Sequence, residues 1–435
     1  MTDRGPIRTT SHSISPDDID PDALKVLRRL QQFGYHAFLV GGGVRDLLLG
    51  QSPKDFDVAT SARPNEVRRI FRNSRLIGRR FRLAHVLFGA GKVIETATFR
   101  AKPLNGDEDE DEALITDDNE FGTPESDANR RDFTVNALFY DPSSNEVIDY
   151  VSGLPDLAAR RLRTIGEPGL RFREDPIRML RAVKFAARLD LSIGEPEAAA
   201  IRAQRTDLCK AAVPRLLEEI VRMLYGGGAK GSFRLLGQLG LLEVLLPEIS
   251  AFLGRPGARD PWHPLDPMLA ALDARCGGRP AVDNGVLLAA LFWPLYQAVI
   301  DDLPRRPHPR YLRLIAESIF APIAIRLRIP RRDCAVLLTA LEGQLRFEHA
   351  RQARPHRAAF ASNAAFPAAN DLFELRVAAG IVTQHDIDAW TSMTAEFPVP
   401  SVEERRERRR AERLERGDSG GRRRGRERFG GSRHR

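Results

Sequence analysis

The segment Phe38–Asp57, FLVGGGVRDLLLGQSPKDFD, decides how this chain is read. An apolar run from Ala37 to Val40 stops at Gly41, Gly42 and Gly43, and Val44-Arg45-Asp46-Leu47-Leu48-Leu49 follows. That order predicts a strand, a glycine-rich turn and a helix. Glycine carries no side chain, so the N–H groups of such a turn can approach a phosphate closely. Beyond the helix, Asp55 and Asp57 flank Phe56. Strand residues i and i+2 share a face, so a strand over Asp55–Ala59 sets both carboxylates together and turns Phe56 toward a core. Two carboxylates beside bound phosphates are an arrangement that holds divalent cations. An Asp-x-Asp alone is common at polar strand ends, and a Gly triplet alone is a loop. Their order and spacing give the segment its meaning.

Outward from there, a helix is expected from about Pro21 to Phe33, with Leu24, Val26, Leu27 and Leu30 on its apolar side. Short strands are expected at His36–Val40, Arg82–Phe88, Lys92–Phe99 and about Asn145–Tyr150, with a helix near Asn65–Phe71. The run Asp107–Glu112 is wholly acidic and reads as a solvated loop. After Thr164 the strand signal fades and a helical pattern rich in Ala, Leu and Arg takes over. The expected architecture is an α/β head, a mixed sheet with flanking helices, followed by an all-α neck, body and tail. Its parts are a disordered N-terminus (1–20), a head (21–164), a neck (165–235), a body (236–400) and a disordered Arg/Gly-rich tail (401–435).

The net charge is +8, of which +7 lies in residues 401–435, leaving +1 for the rest. That tail suits nucleic acid backbones. The three cysteines, Cys209, Cys276 and Cys334, are widely spaced, which fits a reducing cytoplasm and argues against a zinc site. The longest apolar run, Val286–Ile300, is interrupted by Trp-Pro and reads as too short and too polar for a membrane span. His385-Asp386 lacks partner histidines at metal-ligand spacing and reads as a helix start.

Three further clusters carry chemistry. Glu95, in VIETATF, lies on a strand that alternates apolar and polar residues and could stand beside the aspartates. The segment FRNSRLIGRRFRLAHVLFG (71–89) carries Arg72, Arg75, Arg79, Arg80 and Arg82, a density suited to RNA or triphosphate oxygens, and His85 reads as a packed strand histidine. In EDPIRMLRAVKFAARL (174–189), Asp175 suits a helix N-cap and Pro176 the first helical position, while Arg178 and Arg181 share a face.

The Gly-rich turn with its two aspartates, NRRDFTVNALFYDP (129–142) and EDPIRMLRAVKFAARL together resemble the nucleotidyltransferase family of bacterial poly(A) polymerases and class II CCA-adding tRNA nucleotidyltransferases. The likeness runs over roughly residues 24–250. It implies template-independent transfer of AMP from ATP to RNA 3′ ends with release of pyrophosphate, by two-metal catalysis, in mRNA polyadenylation and RNA turnover. CCA addition to tRNA is the alternative within the family, and a catalytically silent RNA-binding protein is the alternative outside it. The basic run at 79–86 resembles the poly(A) polymerase branch. The resemblance further implies Mg²⁺ or Mn²⁺ held by Asp55 and Asp57, and Asp132 as a catalytic carboxylate, although the residues alone leave Glu95 equally open. Gly42, Gly43, Arg45, Arg130 and Arg131 would bind the nucleotide. Asp175 and Arg178, with Arg181 nearby, would read its base as a protein template. RNA is the implied partner, and the basic tail is a place where RNA-decay proteins could dock.

Overall fold

A computed structural model describes residues 5–78, 83–101, 121–256, 259–277, 281–305, 307–347, 354–401, 403–405, 407–408 and 411. Arg79, Arg80, Arg82 and the acidic run 107–112 lie outside the described residues. The chain forms two compact units, one of Met1–Arg215 with Gly231–Pro247, the other of Leu216–Lys230 with Glu248–Arg435.

In the first unit, strands β1 (Ile7–Thr9), β2 (Ala37–Val40), β3 (Asp57–Thr60), β4 (Ser74–Ile77), β5 (Leu83–Leu87), β6 (Val93–Thr98), β7 (Leu138–Asp141) and β8 (Glu146–Asp149) build one sheet of order β1-β8-β7-β2-β3-β6-β5-β4. All neighbours are antiparallel except β3 and β6, which run parallel. Helix α1 (Pro21–Gln32) starts where the Asp20 carboxylate accepts the N–H groups of Asp22 and Ala23, and it buries Leu24, Val26, Leu27 and Leu30 as its spacing predicts. Short helices α2 (Gly42–Leu48), α3 (Pro64–Ile70) and α4 (Pro124–Asn129) follow the strands they connect. The core between sheet and helices gathers Phe38, Phe99, Phe139, Ala59 and Ile148.

Three expectations change here. The first 20 residues are not a disordered arm where they are described: β1 pairs with β8 through Ile7–Asp149, Arg8–Ile148 and Thr9–Val147, and the Ser15 side chain caps a short 3-10 turn. The strand expected at Asp55–Ala59 begins at Asp57, which leaves Asp55 in the preceding turn and Phe56 half-buried. No strand was expected at Ser74–Ile77, which forms the edge strand β4, with Arg72 and Arg75 exposed.

Helices α5 (Gly153–Ala158), α6 (Pro168–Glu174) and α7 (Ile177–Leu189) close the first unit's site. Pro176 sits one position earlier than expected, at the N-cap, yet the Asp175 carboxylate still accepts the Ile177 N–H at 3.3 Å. The second unit is helical. Its Asn284–Asp301 helix passes the length and hydropathy test for a membrane span, but 72% of that stretch is buried in the protein and it carries Pro294 mid-helix, so its apolar surface is covered by protein. Asp386 lies at a helix start capped by Thr383. The tail expected to be disordered begins as helix over Glu403–Arg405, where the Arg405 guanidinium bonds the Asp371 carboxylate.

Candidate active site

The glycine turn is built for close approach. Gly41 has φ +75°, a conformation L side chains rarely adopt, and a Cβ there would stand 3.0 Å from Arg131 Nη1. A Cβ on Gly43 would stand 3.3 Å from the Asp55 carbonyl, so glycine lets the aspartate loop lie directly on α2. Val40 pairs with Asp57, which places the first carboxylate of β3 beside the end of the strand that feeds the turn.

The parallel pairing of β3 with β6 decides what faces Asp57. Val58 pairs with Thr96 and Ala59 with Ala97, so one step back along the same register Asp57 lies beside Glu95. The Asp57 carboxyl is pushed up to about 6, first by the protein gathered around it and then by the charges of Glu95 and Asp55, with Arg131 opposing. The residue is nonetheless exposed to solvent rather than part of the core. Glu95 in turn has His85 Nε2 at 3.5 Å from its Oε1, across the β5–β6 pair. Among the described residues, no group of three or more His, Cys, Asp or Glu side chains forms a ready-made metal cage. Asp55, Asp57 and Glu95 instead form an acidic rim whose mutual repulsion a divalent cation would relieve, with phosphate oxygens completing its shell. The donor set therefore fits Mg²⁺ or Mn²⁺.

Asp132, the other candidate third carboxylate, is differently placed. Its Oδ1 accepts the Phe133 N–H at 2.9 Å and Asn136 Nδ2 at 3.2 Å, and its Oδ2 takes Arg181. Burial alone would raise it, but Arg181, Asn136 and the Phe133 amide hold it at about 2. Its carboxylate is thus held by Arg181, Asn136 and the Phe133 amide.

Arg45, expected to bind the nucleotide, is packed inside the protein. It is 2% exposed, donates to Asp46 Oδ1 through Nε at 2.9 Å and Nη2 at 2.6 Å, bonds the Asn136 side chain, and lies 5.3 Å over the Phe185 ring. The carboxylate next to it in sequence draws it under the turn. The same Phe185 ring carries Arg181 at 5.1 Å and Lys184 at 5.0 Å, and Arg188 reaches Asp46 at 3.2 Å. Three cations thus collect around one aromatic ring, with Asp46 and Asp132 pairing two of them.

Arg130 and Arg131 share Asp127, with Arg130 Nε at 3.0 Å and Arg131 Nη2 at 2.9 Å. Arg131 also donates to the Asn136 carbonyl at 3.2 Å and covers the Phe139 ring. Asp127 escaped the sequence reading, although it precedes the two arginines by three and four residues, the spacing at which helical side chains meet.

The two residues expected to read the base differ in their surroundings. Arg178 is buried and points its Nη1 at Glu174 Oε2 and the Arg171 carbonyl, both at 2.9 Å. Asp175 is half-buried and gripped by both terminal nitrogens of Arg215, at 3.0 and 2.8 Å. Glu174, Arg171 and Arg215 were not singled out from sequence. The first two lie seven or fewer residues before Arg178, but nothing local announces Arg215, 40 residues beyond Asp175.

Three family models match this chain: the Poly A polymerase head domain over 37–163, the probable RNA and SrmB-binding site of polymerase A over 190–253, and the polymerase A arginine-rich C-terminus over 308–429. Poly(A) polymerase I of Salmonella typhimurium is 37% identical over 91% of this chain and 86% of its own length. The Haemophilus influenzae enzyme of the same name is 40% identical over 77% and 76%. Among solved structures, the Bacillus stearothermophilus CCA-adding enzyme in complex with CTP is similar at 27% identity, covering 86% of this chain and 89% of that one, with a TM-score of 0.50.

Proposed function

Because the chain belongs to the bacterial poly(A) polymerase family of nucleotidyltransferases, we propose that it adds AMP from ATP to RNA 3′ ends, without a nucleic acid template and with release of pyrophosphate. The observation that carries the chemistry is the register that sets Glu95 beside Asp57, with Asp55 on the glycine turn. Asp55 and Asp57 would hold Mg²⁺, with Glu95 at their side. The metal supplies activation of the primer 3′-hydroxyl and neutralisation of charge on the phosphates. Gly42 and Gly43 leave room for the triphosphate against the turn, and Arg131 brings positive charge toward Asp57. Arg181, held by Asp132, extends that charge along α7.

Asp175 and Arg178 would offer the hydrogen-bonding edge that selects adenine. Their fixation by Arg215 and Glu174 supports a rigid template, since a mobile edge discriminates poorly. RNA would follow the arginine-rich C-terminal region, and the three unpaired cysteines suit a reducing cytoplasm. The alternative product is CCA on tRNA, favoured by the likeness to the CCA-adding enzyme.

One experiment separates the two. Purified protein is given an unstructured RNA primer, and separately a tRNA lacking its 3′ end, with each nucleotide alone. A long ladder with ATP on the primer supports poly(A) synthesis. Addition that stops after C-C-A, on the tRNA only, overturns it.

A further inference from the structure

We propose that Arg171 is a positioning residue for nucleotide addition, fixing the Arg130–Asp132 loop against the helix that carries Arg178. The proposal rests on the nucleotidyltransferase reading above and deepens it.

Arg171 is 6% exposed and touches none of the reacting groups assigned above. Its Nη2 donates to two consecutive carbonyls, Arg130 at 2.8 Å and Arg131 at 2.6 Å. Its Nη1 donates to Glu174 Oε2 at 2.5 Å, the oxygen that also receives Arg178 Nη1. The Arg171 carbonyl then accepts from Arg178 as well. One buried carboxylate thus serves two guanidiniums, and the dipoles of two backbone carbonyls offset the surplus charge. Arg171 Nε is buried without a partner.

Such an arrangement is a poor route to stability, because desolvating two cations costs about what the pairing returns. What it supplies is geometry. A planar fork spans adjacent carbonyls and a carboxylate at once, which a single ammonium does not. The carbonyls it holds immediately precede Asp132, whose own carbonyl accepts the Ile165 N–H at 3.2 Å. The loop is therefore pinned on both sides. Asp132 orients Arg181, and Arg131 lies against Gly41, so a shift of this loop moves the phosphate side of the site. Glu174 carries the same constraint to Arg178 on the base side. Arg171 joins the two halves.

The test compares Arg171→Met and Arg171→Lys with wild type in single-turnover addition of AMP, CMP, GMP and UMP to an RNA primer, alongside primer affinity and thermal unfolding. Wild type is assayed first; if it transfers no nucleotide, the functional reading falls and this proposal with it, a result distinct from any variant's behaviour. Expected for Arg171→Met is an AMP addition rate lower by on the order of 10–100-fold at saturating ATP, with a narrowed preference for ATP and unchanged primer affinity. Arg171→Lys keeps the charge and loses the fork, so it should fold and show the same narrowing. Should Arg171→Met not fold, Arg171→Lys decides alone. Guanidinium ion added to Arg171→Ala should restore part of the rate. Wild-type rate and wild-type nucleotide preference in folded Arg171→Lys would overturn the proposal, as would activity losses that track only the folded fraction.

Discussion

Arg181 Nη2 and Nε lie 2.6 and 2.7 Å from the same oxygen of Asp132, although 49 residues separate the two in sequence. The contact joins the loop after α4 to α7, and through the Phe185 ring it reaches Arg45 beneath the glycine turn. An aspartate so held acts by placing a cation. On that ground we propose Glu95, rather than Asp132, as the carboxylate beside the Asp55–Asp57 pair.

That assignment has a pH signature. With its carboxyl at about 2, Asp132 contributes stability that is full above the ordinary Asp value near 4 and is lost as pH falls toward 2. The amount is about 2 kcal/mol. Asp132→Asn should be less stable than wild type at pH 6, and the gap should close between about pH 4 and pH 2. Denaturant unfolding across that range checks it. A gap that stays constant means Asp132 is not a charged partner of Arg181.

The acidic rim gives a second prediction. Asp55→Ala or Asp57→Ala should lower nucleotide addition on the order of 10³-fold or more, since each removes a proposed metal ligand. Glu95→Gln should raise the Mg²⁺ concentration needed for half-maximal rate, whereas Asp132→Asn should leave that midpoint nearly unchanged. Near-normal turnover of either aspartate variant at saturating Mg²⁺ removes the two-metal mechanism. A shifted Mg²⁺ midpoint in Asp132→Asn but not Glu95→Gln reverses the assignment.

The base-reading pair is tested by selectivity. Arg178→Ala should weaken ATP more than the other nucleotides, by roughly 1–3 kcal/mol, the size of one good base-edge contact. Arg215→Ala frees the Asp175 carboxylate and should loosen selection without altering triphosphate binding. Equal losses for all four nucleotides in both variants mean that these residues hold something other than the base.

Much of the head was legible because its signals are local. A glycine break between an apolar strand and a helix is visible in a few residues, and so is the alternation that carries Glu95. What stayed hidden depends on distant partners. Three residues, Ile7–Thr9, become a strand only because β8 offers an edge. The burial of Arg45 was hidden because it rests on Asn136, 91 residues away, as well as on Asp46. Arg72 and Arg75 disguised β4, since side chains on an exposed edge strand need not be apolar. The fork of Arg171 uses backbone carbonyls as acceptors, and no side-chain pattern reports those.

The start of the tail has a distant partner of the same kind, and it supplies the last prediction. Its composition, nearly all charge and glycine, argued for disorder from residue 401. Yet Arg405 reaches a buried Asp371, whose carboxyl burial pushes up to about 6 despite the opposing guanidinium. The start of the tail is therefore anchored in the second unit by a specific ion pair. Deleting residues 412–435 should weaken RNA binding, flatten its dependence on salt and shorten the product made per encounter, while the rate of single AMP addition at saturating primer is kept. Arg405→Met should do something different. It leaves Asp371 buried without its strongest cation, so its carboxyl rises further. A raised carboxyl favours the folded state at low pH and costs stability as pH climbs through it, so this variant should lose stability more steeply than wild type above about pH 6. Primer affinity at several salt concentrations and unfolding from pH 5 to pH 8 test the two parts separately. Unchanged affinity and salt slope after deletion rule out the tether, and parallel pH–stability curves rule out the anchor.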